Sequence, residues 1–189
     1  KTNIFNPEEV KKILKHSNIS INLIGILHEN SKQKFKNIHS NFPNLLSSIC
    51  KELNLDKLVH ISSLGVKKDH PSNYMQSKFE GEKNIQKNFQ RSIILRPSVV
   101  FGPEDKFFNK FASFAQFSPV IPLIGGGKTK FDPVYVGDVA QAIVKSLDIN
   151  NFEKNIFELG GPSTYSFKKL MEILLKEIKK RRILLPVPF

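Results

Sequence analysis

Apolar residues along the chain follow two rhythms. Ile19 to Leu27, reading ISINLIGIL, is a β-branched run with one Gly inside it, and it predicts a strand buried on both faces. KLVHISS at 57–63 and SIILR at 92–96 predict two more strands, the second stopped by Pro97. Between them, Phe35, Ile38, Phe42, Leu45, Leu46, Ile49 and Leu53 recur at helical spacing and predict a long amphipathic helix over 32–54, kinked at Pro43. Residues 72–90 predict another helix. Asn6-Pro7-Glu8-Glu9 combines a cap, a proline at the first helical position and acids in the first turn, so a helix runs from there to about His16.

After Pro97 the rhythm changes. Phe107, Phe108, Phe111, Phe114 and Phe117 predict a Phe-lined helix. A turn-rich stretch through Pro119, Pro122 and Gly125-Gly126-Gly127 leads to a short strand at 131–136, a helix capped by Asp138 and ending near Leu147, and a strand at 155–159. Phe167, Leu170, Met171, Leu174, Leu175 and Ile178 mark a last amphipathic helix. Strands alternating with helices of ten or more residues imply a doubly wound α/β domain with a parallel sheet, followed by a small C-terminal α/β extension. The expected division is 1–103 for the core and 104–189 for the extension, packed as one compact unit.

The chain of 189 residues carries a formal net charge of +12. The cations are 25 Lys and 4 Arg, spread along the whole length and accompanied by 16 Asn and 20 Ile, a pattern of AT-rich coding rather than of a nucleic-acid face; no nucleic-acid partner is expected. One Cys, Cys50, excludes an internal disulfide and reads as core beside Ile49 and Leu53. His residues at 16, 28, 39, 60 and 70 have no metal-ligand spacing, and no metal is expected. No apolar run reaches the roughly eighteen residues that a membrane-spanning helix needs.

Tyr74 and Lys78 stand four residues apart, on one helix face. A neighbouring ammonium lowers a phenol's pKa and makes it an acid/base near neutral pH. Tyr165 and Lys169 share the spacing, so spacing alone does not single out a site. Context separates the pairs. Tyr74 follows Ser63 at the carboxyl end of a predicted core strand, where ligands of open α/β sheets bind, whereas no central strand is predicted before Tyr165.

Ser62-Ser63, Tyr74-x-x-x-Lys78-x-x-x-Glu82, the run Leu95-Arg96-Pro97-Ser98-Val99-Val100-Phe101-Gly102-Pro103 and Pro133-Val134-Tyr135-Val136-Gly137-Asp138 follow one another along the chain. Together they resemble the extended or atypical short-chain dehydrogenase/reductase family. Phe101-Gly102-Pro103-Glu104-Asp105, Pro122-Leu123-Ile124-Gly125-Gly126-Gly127 and the terminal Leu184-Leu185-Pro186-Val187-Pro188-Phe189 narrow the resemblance to the nucleotide-binding accessory subunits of respiratory complex I and their bacterial relatives. The resemblance implies a nicotinamide nucleotide, NAD or NADP with NADPH favoured. It places Asn22, Leu23, Ile24 and Gly25 along the cofactor, Lys78 on its ribose and Tyr74 facing the nicotinamide. Ser63 or Ser62 would orient a substrate oxygen, and Pro97, Ser98, Val99 and Val100 would flank the carboxamide. Asn3 stands where the family has an Asp near adenine.

The Gly-rich loop that seats the pyrophosphate in that family is absent from this stretch, so the resemblance implies an incomplete Rossmann-type sheet, part of a longer protein, expected to bind nucleotide weakly by itself. Gly127-Lys128-Thr129 imitates the end of a phosphate-binding loop, but Pro122 stands where the first Gly is required and a strand follows where a helix is needed. The resemblance implies a structural nucleotide holder associated with complex I subunits, on the matrix side of the mitochondrial inner membrane or the cytoplasmic side of a bacterial one. The alternative is an active NAD(P)-dependent epimerase, dehydratase or reductase using Ser63, Tyr74 and Lys78. Lys179, Lys180, Arg181 and Arg182, followed at once by Ile183-Leu184-Leu185, form a candidate membrane-surface contact.

Overall fold

A computed structural model describes residues 2–188. Among the described residues are six α-helices and ten short strands, with a π-helical turn at Lys36–Asn41 and a glycine turn at Gly125–Gly127. Contacts divide the chain into two units. The first runs to Pro97 and takes up Gln141–Leu159; the second is Ser98–Ala140 with the chain from Gly160 onward. Residues 98–103 thus pack with the second unit and 141–159 with the first, where a linear division at 103 has them the other way.

The first unit is built on a parallel sheet in the order β1 (Ile19–Asn22), β2 (Lys57–Ile61), β3 (Ser92–Pro97), β8 (Ile156–Leu159). Helices cover both of its faces. On one side, Val10 and Leu14 of α1 (Pro7–Leu14), Leu46, Ile49 and Cys50 of α2 (Phe42–Glu52), and Ile85 of α3 (Asn73–Asn88) pack with Leu58. On the other, Ala142 and Ile143 of α5 (Val136–Ser146) pack with Val59, Ile93 and Leu95. Asn6 caps α1 as its sequence requires, its Oδ1 accepting from the amides of Glu8 (3.1 Å) and Glu9 (3.4 Å). Lys57 is buried in β2 and donates to the carbonyls of Ser146 (3.3 Å) and Leu147, closing the C-terminus of α5 with a cation.

Two first-unit expectations change. The strand at 19–27 is short and is not buried on both faces. Ser20 and Asn22 point inward, while Ile21 is 43% exposed and Leu23, Ile24 and Leu27 are exposed with it. β1 lies at a sheet edge, and the apolar residues packed against the α5 side of the sheet come from β2, β3 and β8. The helix expected over 32–54 is real from Lys36 but begins with a π turn. Pro43 has no N–H to give the carbonyl four residues back, that of His39, and the Phe42 amide reaches five residues back to Asn37.

In the second unit α4 (Phe108–Phe117) and α6 (Phe167–Glu177) pack around Ala115, Ile121, Leu123, Phe167 and Met171. Strand β10 (Ile183–Val187) pairs in parallel with β5 (Val120–Ile124). The strand expected at 131–136 is two. Lys130–Phe131 (β6) pairs antiparallel with Tyr165–Ser166 (β9), Val134–Tyr135 (β7) pairs with Val100–Phe101 (β4), and Asp132-Pro133 separates them. Because α5 already starts at Val136, Asp138 lies in its first turn and is not its cap. Gly125, Gly126 and Gly127 all take positive φ (61°, 67° and 71°), a conformation open to Gly and closed to most residues, and lead into a strand. Phe189, the last residue of the resembling tail, lies outside the described residues.

Candidate functional site

The carboxyl ends of β1 and β2 and the first two turns of α3 bring Asn22, Gly25, Ser62, Ser63, Tyr74 and Lys78 into one region of the first unit. β2 pairs with both neighbours in register, Asn22 opposite His60 and Ile61 opposite Leu95. The Ser62 amide then continues onto the Leu95 carbonyl (2.7 Å) and that of Leu64 onto Pro97 (2.9 Å), which fixes the turn carrying both serines.

Lys78 is the centre of this region. It is 5% exposed, and burial pushes its pKa down to about 8, with buried Glu82 one helical turn on pulling it back up. Its ammonium donates to the Ile61 carbonyl at 3.2 Å, the one hydrogen bond it makes among the described residues. Glu82 is held by a bidentate pair with Arg96 of β3 (Nη2–Oε2 2.6 Å, Nε–Oε1 3.0 Å), and Arg96 also reaches Glu158 of β8. Gly25 approaches the same ammonium: a Cβ at this position would stand 3.5 Å from Lys78 Nζ and 3.7 Å from His39 Nε2.

Tyr74 departs from expectation. Burial raises its pKa and the Ser63 hydroxyl draws it partly back, while the Lys78 ammonium is turned to the Ile61 carbonyl. The ring stands edge-on to Phe35 and to His39. The second Tyr/Lys pair is distinguished by burial and not by the reason given from sequence. A strand of the main sheet, β8, does precede Tyr165. Lys169, however, is a surface residue whose ammonium sits 3.6 Å from Glu172.

Two histidines complete the region, and the sequence did not announce them. His60 Nδ1 takes the Asn22 Nδ2–H at 3.0 Å, while Asn22 Oδ1 accepts the Ile24 amide at 3.0 Å. His39 Nε2 accepts the Ile26 amide (3.0 Å), so its Nδ1 carries the hydrogen and faces Ser77 Oγ (3.0 Å). Burial, then the charge of Lys78, holds His39 down to about 4; the same two causes, with His39 a further one, hold His60 down to about 3. Both are neutral near pH 7. A signal for them existed: each sits on the inward face of its element. Leu23 and Ile24 are exposed, and Pro97 ends β3. Ser98, Val99 and Val100 belong to the second unit, where the Ser98 hydroxyl accepts the Asp132 amide (3.2 Å) and the Val99 carbonyl that of Val134 (3.0 Å).

The groups present fit a polar, hydroxyl-rich ligand such as a nicotinamide nucleotide. Ser62 Oγ and His60 Nε2 are buried with no partner, Lys78 has donors to spare, and Gly25 presents bare backbone beside it. When bound, such a cofactor supplies hydride chemistry; this chain's groups would bind and orient it. Among the described residues no group of three or more His, Cys, Asp or Glu could hold a metal ion, and no helix is long and apolar enough to cross a membrane.

A parallel sheet wound on both faces, with Ser63, Tyr74 and Lys78 at its carboxyl end, defines a Rossmann-type dinucleotide-binding class. The chain belongs to the NAD dependent epimerase/dehydratase family, whose signature matches residues 1–160. Among its relatives is the mouse "NADH dehydrogenase [ubiquinone] 1 alpha subcomplex subunit 9, mitochondrial", 34% identical over 182 residues, 96% of this chain and 48% of the relative. The Arabidopsis thaliana protein of that name is 33% identical over 97% of this chain and 48% of its own length, and the Neurospora crassa 40 kDa subunit of NADH-ubiquinone oxidoreductase 30% over the same shares. The chain spans about half the length of these relatives. In fold it matches a Bacillus cereus UDP-glucuronic acid 4-epimerase solved with NAD (TM-score 0.83, 22% identity, 98% of this chain and 67% of that one). It also matches a Bacillus anthracis dTDP-4-dehydrorhamnose reductase solved with NADP (TM-score 0.81, 17% identity, 99% and 72%).

Proposed function

We propose that the protein holds a nicotinamide nucleotide as a structural element of an accessory subunit of NADH:ubiquinone oxidoreductase. The observation that carries this reading is identity of 30% or more, along nearly the whole chain, with proteins named as subunits of that enzyme. Its partners would then be other subunits of the complex. Its place would be the matrix side of the mitochondrial inner membrane, or the cytoplasmic side of a bacterial one.

Asn22 to Gly25 would line the nucleotide, Lys78 would bond its ribose hydroxyls, and Tyr74 would face the nicotinamide. Pro97, at the end of β3, would flank the carboxamide. A retained nucleotide is supported by the surroundings of Tyr74: burial raises its pKa, which disfavours the phenolate that base chemistry needs. The second reading, an epimerase, dehydratase or reductase, is favoured by the presence of Ser63, Tyr74 and Lys78 together.

The test is nucleotide content after purification of the protein as its gene encodes it. In a structural holder Tyr74→Phe keeps the nucleotide and Lys78→Met loses most of it. Loss from both variants, or from neither, overturns the structural reading. In the enzyme reading Tyr74→Phe instead lowers turnover on the order of a hundredfold or more. Chromatography of the released nucleotide distinguishes NADPH, the expected one, from NADH.

A further inference from the structure

We infer that His39 is a positioning residue of this site, one that holds the Gly25 loop in register with the helix carrying Tyr74 and Lys78. The inference deepens the nucleotide reading and rests on it. His39 is 1% exposed and spans two elements that no sheet hydrogen bond joins. On the loop side its Nε2 accepts the Ile26 amide at 3.0 Å, next to the residue whose bare backbone faces Lys78. On the helix side its Nδ1–H faces Ser77 Oγ at 3.0 Å, and that hydroxyl in turn donates to the Tyr74 carbonyl at 2.7 Å. The ring is clamped as well: Phe35 stacks on it at 5.4 Å and 16°, and Tyr74 meets it edge-on at 5.2 Å and 88°.

The backbone holding His39 is equally determined. It lies in the π turn that Pro43 imposes, and α3 is brought up against the His39 carbonyl at Gly81, where a Cβ would overlap the oxygen. A π turn places its residues off the regular helical stripe, which is how an imidazole on this helix can face the loop and α3 together. Through that ring, the distance between Gly25 and Lys78 is set by hydrogen bonds rather than by the intrinsic preference of an exposed loop. A nucleotide lying between them then finds its contacts already spaced, without the ordering cost of a free segment.

Three variants test this in the protein as its gene encodes it, with NADPH and NADH as probes. His39→Leu keeps bulk and removes both hydrogen bonds. His39→Gln restores an acceptor near the Nε2 position. Ser77→Ala cuts only the helix side and guards against His39→Leu failing to fold. Hydrogen exchange at the Ile26 amide is read without nucleotide, and affinity by calorimetry. Expected are about tenfold weaker binding and faster Ile26 exchange in His39→Leu, since one ordering hydrogen bond is worth about that factor. His39→Gln should recover to within about threefold, with Ile26 protected again, and Ser77→Ala should weaken binding while leaving Ile26 protected. Unchanged Ile26 exchange in His39→Leu, or affinity lost equally in His39→Gln while Ile26 stays protected, overturns the positioning role. If His39→Leu does not fold, unaltered binding in Ser77→Ala together with poor binding in His39→Gln overturns it. A wild-type protein that binds neither nucleotide refutes the nucleotide reading, and the Ile26 measurement still decides whether His39 holds the loop.

Discussion

His39 and His60 each take up a proton near pH 6.5 in the unfolded chain, but only near 4 and near 3 in the folded one. Between those values the unfolded chain carries the extra protons. Stability therefore rises with pH through this window and is lost as pH falls from 6.5 toward 3. The expected outcome is a melting temperature that drops between pH 7 and pH 4.5. His60→Asn, which keeps an acceptor for Asn22 and cannot titrate, should show a visibly smaller drop. An equal drop in wild type and variant would place the acid sensitivity elsewhere. Lys78 acts in the same sense at the alkaline end. Its folded pKa, about 8, lies below the 10.5 of a free lysine, so the unfolded chain again binds the extra proton and stability gains as pH rises from 8 to 10.5. Lys78→Met removes that gain, which denaturant melts at pH 7.5 and 9.5 would reveal.

Two adjacent residues of α3 set how that helix sits. Gly81 lies against the His39 carbonyl at the π turn, so Gly81→Ala forces α3 away from the turn. The expected destabilisation is about 1–3 kcal/mol, the range of overpacking substitutions, with Ile26 amide protection weakened at the same time. Glu82, fully buried, faces Arg96 with two hydrogen bonds and is the group that draws the Lys78 pKa upward. Glu82→Gln leaves the Arg96 charge with exposed Glu158 as its partner and is expected to cost about 3–5 kcal/mol by urea titration. Loss below ~1 kcal/mol would mean that Arg96 turns to solvent without penalty. A polar seam joins the same helices: Asn84 donates to Ser40, and Asn88 to Asn44 and Ser47. Asparagines that composition alone assigns to coding bias are thus part of the packing.

At the scale of the whole molecule, the basic block before the C-terminal strand is not one uniform patch. Lys179 takes a positive φ (53°) just after α6, and the Arg182 guanidinium donates to the carbonyl of Ala115 (2.8 Å), near the end of α4. Lys179 and Arg181 are left exposed. Beside them, alternation along β5 and β10 buries Ile121 and Leu123 and turns Ile124, Ile183 and Leu185 to the surface, and Phe117 at the end of α4 is 92% exposed. If this face meets an anionic membrane surface, the protein should co-sediment with vesicles containing acidic lipid at low salt and be released as salt rises. Lys179→Gln with Arg181→Gln should reduce the bound fraction severalfold, since each cation near the surface contributes about 1 kcal/mol. Arg182→Gln should chiefly lower thermal stability. Binding that is equal at low and high salt would remove the electrostatic part of this reading.

Local patterns were enough for much of this. The cap at Asn6, the strands at 57–61 and 92–97, the helices at 73–88 and 167–177 and the parallel α/β class all follow from periodicity and capping, which act within a few residues. The spacing of Tyr74 and Lys78 places both on α3 for the same reason. What tertiary structure alone decided is where charge and burial meet. Sequence predicts that Lys78 lowers the pKa of Tyr74; packing buries the phenol and turns the ammonium to Ile61, so desolvation wins. ISINLIGIL reads as a strand buried on both faces, yet the folded chain leaves Ile21 and Leu23 exposed and buries Ser20 and Asn22. His39 and His60, thirteen residues past Ile26 and thirty-eight past Asn22, join the site through contacts that only the folded chain creates. Periodicity acts within one element, whereas pKa values, edge exposure and cross-element hydrogen bonds depend on which elements become neighbours.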